Sequence, residues 1–205
     1  MIKQLKICGI SDPKILNYIL NHPNPPKFIG FITNYRKSKR FVRYEKLKEL
    51  LNVDKRDIKF VSVLVEPNDK ILEKIKNLNF DYYQLYDVEP ERTKEIKIKY
   101  DIKIITALTV SEENDVIKYK NYLKISDIIL FDSKGYHKSE SFDHNLLNEV
   151  PNELNKMIAG NIQIEDIPNF KNKNFMIDLS GALEDENGKK DISKINKLLN
   201  LSAKI

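Results

Sequence analysis

The chain has 205 residues, with 35 Lys and Arg against 30 Asp and Glu, a formal net charge of +5 and one cysteine. That length builds one sizeable core without demanding a second domain, and a lone Cys excludes an internal disulfide framework or a cysteine-rich zinc site. Lysines alternate with acids, as in Lys46-Leu47-Lys48-Glu49, so the positive balance reads as solvated helix faces and a field suited to a small anion, not as a nucleic-acid surface.

No run approaches the ~18 apolar residues of a membrane span, and the start of the chain lacks the apolar stretch of a signal peptide. The expected setting is the reducing cytoplasm. Along the chain, short apolar runs recur, each followed by a polar turn and a stretch with helical spacing. Predicted strands cover 3–8, 27–32, 58–65, 81–85, 102–107, 126–131, 155–159 and 174–178. Predicted helices lie between and after them at 12–21, 43–51, 68–78, 89–100, 112–122, 142–148, 163–169 and 190–200. Asp12-Pro13, Pro67-Asn68 and Ser111-Glu112-Glu113 mark helix starts by capping, by Pro at the first turn and by early acids. The seventh unit is the weakest, because Pro168 interrupts it after a turn or two.

Strands alternating with helices predict an α/β fold with a parallel eight-stranded sheet, a (β/α)8 TIM barrel forming one domain over 1–205. The alternative is an open doubly wound sheet. No Gly-x-Gly-x-x-Gly follows the first strand, where the turn reads Cys8-Gly9-Ile10-Ser11, which speaks against a dinucleotide site.

In such a barrel, chemistry gathers at the carboxyl ends of the strands. Those ends read Cys8, Thr33-Asn34, Val65-Glu66, Gln84, Thr106-Ala107, Asp132, Ala159-Gly160-Asn161 and Asp178-Leu179-Ser180-Gly181. Period-2 alternation puts Cys8 on the face of Lys6 and not on the oily face of Leu5 and Ile7. That is an odd place for a packing cysteine. Singly, each candidate has a plainer role: Cys8 a small hydrophobe, Asp132 a turn residue, Arg40 a surface cation, Gln84 a satisfied barrel polar, Asp178 a cap. Their convergence on one mouth favours a site.

Lys6-Ile7-Cys8-Gly9-Ile10, Gly30-Phe31-Ile32 leading to Ser38-Lys39-Arg40, Gln84-Leu85, Leu130-Phe131-Asp132-Ser133-Lys134-Gly135, Ser141-Phe142-Asp143, Asp178-Leu179-Ser180 and Gly188-Lys189-Lys190-Asp191 carry a resemblance. In order and spacing the chain resembles the phosphoribosylanthranilate isomerase family over essentially its whole length. The resemblance implies a cofactor-free and metal-free barrel enzyme of tryptophan biosynthesis, isomerising an aminoaldose phosphate to an aminoketose. It implies that Cys8 is the general base and Asp132 the general acid. It implies that Arg40 meets the anthranilate carboxylate, that Gln84 and Asp178 line the pocket, and that Gly160, Asn161, Ser180, Gly181 and Ala182 hold phosphate. The partner is then a small phosphorylated aminosugar, and the protein a monomer or homodimer. Two alternatives remain beside it: another sugar-phosphate isomerase barrel, which calls for a carboxylate where Cys8 stands, and a non-catalytic barrel that binds a phosphorylated ligand.

The chemistry asks for the same groups. An Amadori rearrangement needs a proton delivered to the furanose ring oxygen and another taken from C2′, and the iminium so formed is its own electron sink. Asp132 must then have a pKa above the usual value of about 4, which the apolar strand before it favours, and Cys8 must be partly thiolate, helped by Lys6, Arg40 or substrate. The chain departs from the family pattern at Tyr136-His137-Lys138-Ser139-Glu140, where a glycine-rich loop is usual, at Tyr86-Asp87 in place of His-Gly, at Thr106-Ala107 in place of Lys-Ala, and at Ala182 in place of glycine.

Overall fold

The computed structural model describes residues 4–133 and 142–204. The departure at 136–140 lies outside them, as do Lys134, Gly135 and Ser141. Eight parallel strands, β1 (Leu5–Cys8), β2 (Phe28–Ile32), β3 (Lys59–Val65), β4 (Tyr82–Tyr86), β5 (Lys103–Val110), β6 (Ile128–Ser133), β7 (Lys156–Ile158) and β8 (Met176–Leu179), close into a barrel in sequence order. β8 returns to β1 with Lys6 beside Asp178 and Ile7 beside Leu179.

A parallel barrel buries both faces of every strand, so both parities must be largely apolar. One parity, with Ile7, Ile29, Phe31, Phe60, Leu64, Ile104, Phe131 and Ile177, packs outward against the helices as the main core. The other, with Phe28, Val61, Val63, Ile105, Leu130, Met157 and Met176, forms a separate cluster inside the barrel. Side chains therefore fill the barrel below its mouth, and a ligand can enter only at the strand ends.

The helical layer follows its local signals. In α1 (Pro13–Leu20), Asp12 accepts from the Lys14 N–H at 2.7 Å and Pro13 occupies the first turn, while Ile15, Leu16, Ile19 and Leu20 form the buried stripe. α2 (Tyr44–Leu51) and α4 (Pro90–Tyr100) follow β2 and β4. Asn68 caps α3 (Asp69–Ile75), and Asp191 caps α6 (Ile192–Ser202), through side-chain oxygens 3.0 Å from Ile71 N and Lys194 N. Among the described residues, no helix is long and apolar enough to cross a membrane.

Four of the expected elements differ. α5 (Glu113–Ile117) tightens into a 3-10 helix over Lys118–Tyr122. The sixth and seventh units carry 3-10 segments, His144–Leu147 and Ile164–Phe170, where α-helices were expected at 142–148 and 163–169. Pro168 has no N–H to donate and Pro151 follows closely on the first of them, so neither stretch propagates an α-helical ladder. β5 runs on to Val110, three residues past the expected end, because Thr109 continues the extended run. Thr106 is consequently not at the mouth. It faces outward, 98 per cent buried, with its hydroxyl 2.5 Å from that of Ser126.

Candidate active site

A cavity of about 510 Å³ opens at the carboxyl ends of the strands. Cys8, Arg40, Asp132 and Asp178 face it, together with Gly160, Asn161, Ser180, Gly181 and Ala182. Of the candidates read from the sequence, only Gln84 stays out of its wall. Gln84 is fully buried one inward step deeper along β4, beneath Tyr86, which does face the cavity.

Two glycines set the place of Cys8. A Cβ on Gly30, in the neighbouring strand, would stand 2.7 Å from the Cys8 sulfur, so the missing side chain makes room for the thiol. Gly9 turns the chain with φ +80° and lets the Arg40 stem lie across it, where a Cβ would meet Arg40 Cδ at 2.5 Å. Beneath the thiol, Lys6 and Asp178 form a buried ion pair with Nζ 2.6 Å from Oδ2. Burial lowers the Lys6 pKa, but Asp178 and Cys8 outweigh it, and the ammonium is held above its ordinary value. For Cys8 burial wins: the thiol is pushed up, with Lys6 and Lys190 offsetting only part of the desolvation and Asp178 adding to it. Lys6, one of the groups expected to favour the thiolate, acts in that direction but does not outweigh burial.

Asp132, the last residue but one of β6, has both oxygens engaged. The Tyr86 hydroxyl donates to Oδ2 at 2.7 Å, and the Ser133 N–H donates to Oδ1 at 2.8 Å. Burial raises this carboxyl to about 6, with Asp178 pushing the same way and the two donors and Lys6 pulling back. Tyr86 itself is pushed well above the ordinary phenol value by burial and by Asp132, so at neutral pH it is a fixed donor.

Arg40 does not offer a free fork. Its Nε donates to Glu184 Oε1 and its Nη2 to Oε2 at 2.9 Å, leaving the Nη1 edge for a ligand. Lys190 completes the cluster, with Nζ 2.7 Å from Glu184 Oε1 and 2.9 Å from the Ser180 carbonyl. The Ser180 hydroxyl in turn donates to the Cys8 carbonyl at 3.0 Å, tying the cluster to the end of β1. Against the upward push of burial, Arg40 and Lys190 hold the Glu184 carboxyl below its ordinary value.

Sequence reading did not single out Glu184, Lys190 and Tyr86 as members of this cluster of side chains. Glu184 carries no local signal and Lys190 enters only within Gly188-Lys189-Lys190-Asp191, whereas Tyr86 lies two residues from Gln84 and so shares its inward face, which alternation alone reveals.

On the far side of the mouth the cavity is bordered by backbone. Gly160 and Asn161 follow β7 with φ of +94° and +50°. A Cβ on Gly160 would meet Ser133 Cβ at 2.6 Å, so only glycine fits between the ends of β6 and β7. Among the described residues, the N–H groups of Gly160, Asn161, Gly181 and Ala182 have no acceptor. They border the cavity as an electropositive backbone rim.

A family model described as N-(5'phosphoribosyl)anthranilate (PRA) isomerase matches residues 5–201. An N-(5'-phosphoribosyl)anthranilate isomerase of Rhizobium johnstonii is 29% identical over 208 residues, covering 96% of this chain and 92% of the relative. The crystal structure of phosphoribosyl anthranilate isomerase from Thermotoga maritima superposes with a TM-score of 0.86 at 25% identity, covering 100% of both chains. A structure of such an isomerase in complex with reduced 1-(o-carboxyphenylamino)-1-deoxyribulose 5-phosphate shares the fold, with a TM-score of 0.84 at 24% identity and 100% of both chains covered.

Proposed function

The chain belongs to the N-(5'-phosphoribosyl)anthranilate isomerase family and catalyses that rearrangement in tryptophan biosynthesis, and we propose that Asp132 is its general acid and Cys8 its general base. The observation that carries the assignment is that both face one cavity from β1 and β6, three strands apart around the barrel. A sugar lying across that mouth exposes its ring oxygen to one group and its C2′ hydrogen to the other.

The steps follow from the groups present. Asp132 delivers a proton to the ring oxygen as the C1′–O bond breaks, leaving a protonated Schiff base. Cys8 takes the C2′ proton, and the electron pair moves into the iminium to give an enolamine that tautomerises to the ketone. Resting Cys8 as thiol and Asp132 as carboxylate contain the same number of protons as thiolate and carboxylic acid. The reactive pair is therefore reached by moving one proton, without exchange with solvent. Negative charge on the substrate and exclusion of water favour the protonated form of the carboxyl, while Lys6 and Lys190 offset the cost of the thiolate.

The remaining candidates divide the two ends of the substrate. Arg40 takes the anthranilate carboxylate through its Nη1 edge, and Asp178 stands in the wall between Cys8 and the rim with Oδ1 buried and unpartnered. The open N–H groups of Gly160, Asn161, Gly181 and Ala182, beside Ser180, take the phosphate. Gln84 acts from below the wall. The partner is thus a small phosphorylated aminosugar, and the reducing cytoplasm keeps the one cysteine a thiol. Monomer and homodimer both accommodate a site drawn from one chain.

The test follows loss of substrate fluorescence with phosphoribosylanthranilate generated in situ. Cys8→Ser and Asp132→Asn each lower turnover by about 10²–10⁴ while circular dichroism is unchanged. Near-normal turnover in either variant removes that residue from its role.

A further inference from the structure

Lys190 is nearly fully buried beside the mouth yet stays out of the cavity wall, so its purpose is something other than meeting the substrate. Its place is built by the loop from β8 to α6, in which Glu184 and Lys190 pair across an antiparallel bridge. The turn between them is held by Asp185, whose Oδ1 accepts from the Asn187 and Lys189 N–H groups at 2.9 Å. All three ammonium hydrogens of Lys190 have an acceptor: Glu184 Oε1 at 2.7 Å, the Ser180 carbonyl at 2.9 Å and the Ser180 hydroxyl at 3.2 Å. None is left for a ligand.

The Ser180 carbonyl belongs to the same peptide group as the Gly181 N–H. A peptide bond is planar and trans, and none among the described residues is cis, so the two point in opposite directions. Lys190 holds the carbonyl away from the cavity, and the Gly181 N–H is thereby turned toward it. That N–H has no acceptor among the described residues, and Gly181 lines the wall. The Leu183 N–H also donates to the Ser180 carbonyl, at 3.1 Å, but this one bond of a three-residue 3-10 turn is a weak hold by itself. The Ser180 hydroxyl does not cap that turn, because it donates to the Cys8 carbonyl instead. The ammonium is what fixes the peptide.

We propose that Lys190 is a positioning residue for the phosphate end of the site: it does not touch the anion, and aims the Gly181 N–H at it by holding the other end of the same peptide. The inference rests on the assignment of phosphate to the backbone rim. Glu184 anchors the ammonium from across the bridge, so one carboxylate steadies Arg40 directly and, through Lys190, the donor at the phosphate end.

The experiment titrates 15N-labelled protein with inorganic phosphate, against chloride at equal ionic strength, and follows the amide protons of Gly181 and Asn161. In the unsubstituted protein both move downfield, as N–H groups do on donating to an anion. Lys190→Met keeps most of the stem, and Glu184 keeps Arg40 as its partner. In that variant the Kd for phosphate rises about tenfold, and at saturation Asn161 still moves while Gly181 does not. Loss of charge alone weakens binding but leaves both amides responding at saturation, so a Gly181 displacement of unsubstituted size in Lys190→Met overturns the proposal. Should the single variant fail to fold, Lys190→Met combined with Glu184→Gln removes both charges together and is read by the same amide. In the unsubstituted protein, movement of Asn161 without Gly181 overturns the proposal alone, and movement of neither also removes phosphate from the rim.

Discussion

Asp132 and Cys8 are both displaced upward from their ordinary pKa values, and for both the first cause is burial at the end of an apolar strand. Asp132 titrates at about 6 and Cys8 above its usual range, so three states follow one another as pH rises. Below 6 both groups carry protons and the site has one too many. Above the thiol's value it has one too few. Between the two, a single proton is shared, and the thiolate and acid pair that we propose as the reactive form is a minor tautomer of that state. The expected kcat/KM profile rises through an acid limb near 6, stays level across neutrality and falls only above the ordinary thiol range of about 8.5. The substrate phosphate also titrates near 6, so the profile is recorded with Asp132→Asn as well, whose residual rate retains only the phosphate's contribution. A limb at the ordinary carboxylate value of about 4 would place Asp132 in a wetter site than the one described.

Among the elements, the loop from β8 to α6 does the most to shape the site. It carries Glu184 and Lys190, and with them it fixes Arg40 from the loop after β2. Lys190 is nearly fully buried, so replacing Glu184 with Gln leaves an ammonium without its counterion, a loss of about 2–4 kcal/mol at neutral pH, read by urea denaturation. The folded pKa of Glu184 lies below its ordinary 4.5, so its stabilisation is complete above that value and is lost as pH falls through the folded pKa. The stability gap between the two proteins must therefore narrow below about pH 4. A constant gap across that range would mean that Glu184 contributes shape and not charge. The elements themselves were largely legible: Pro13, Asn68 and the α1 stripe stand in the sequence as clear signals. Strand five was not, because Thr109 breaks the apolar run while still favouring extended backbone, and this misplaced Thr106 at the mouth. The sixth and seventh helical stretches show helical spacing, but periodicity does not distinguish an α-helix from a 3-10 segment held short by proline.

At the scale of the whole molecule, barrel closure brings the site together from positions that no local pattern relates. Lys6 meets Asp178 across 172 residues and Arg40 meets Glu184 across 144. The strand-end rule gathered Cys8, Asp132 and Asp178 from sequence because it is a rule about topology. It could not reveal Glu184, whose place depends on how one loop folds over the mouth. Closure also makes ligand binding a matter of global stability, since the rim at Gly160, Asn161, Gly181 and Ala182 joins the ends of β7 and β8, and β8 seals the barrel against β1. An anion bound there exists only while the barrel is closed. Inorganic phosphate at ten times its Kd should stabilise the fold by about 1.4 kcal/mol and raise Tm by roughly 3–6 °C. Chloride at equal ionic strength controls for screening of the +5 net charge. Gly160→Ala strains a φ of +94° and drives a methyl group into Ser133, so it lowers the starting Tm and removes most of the phosphate increment. If chloride raises Tm as far as phosphate does, or if the variant keeps the full increment, the anion is held by diffuse surface charge and the backbone rim is not its site.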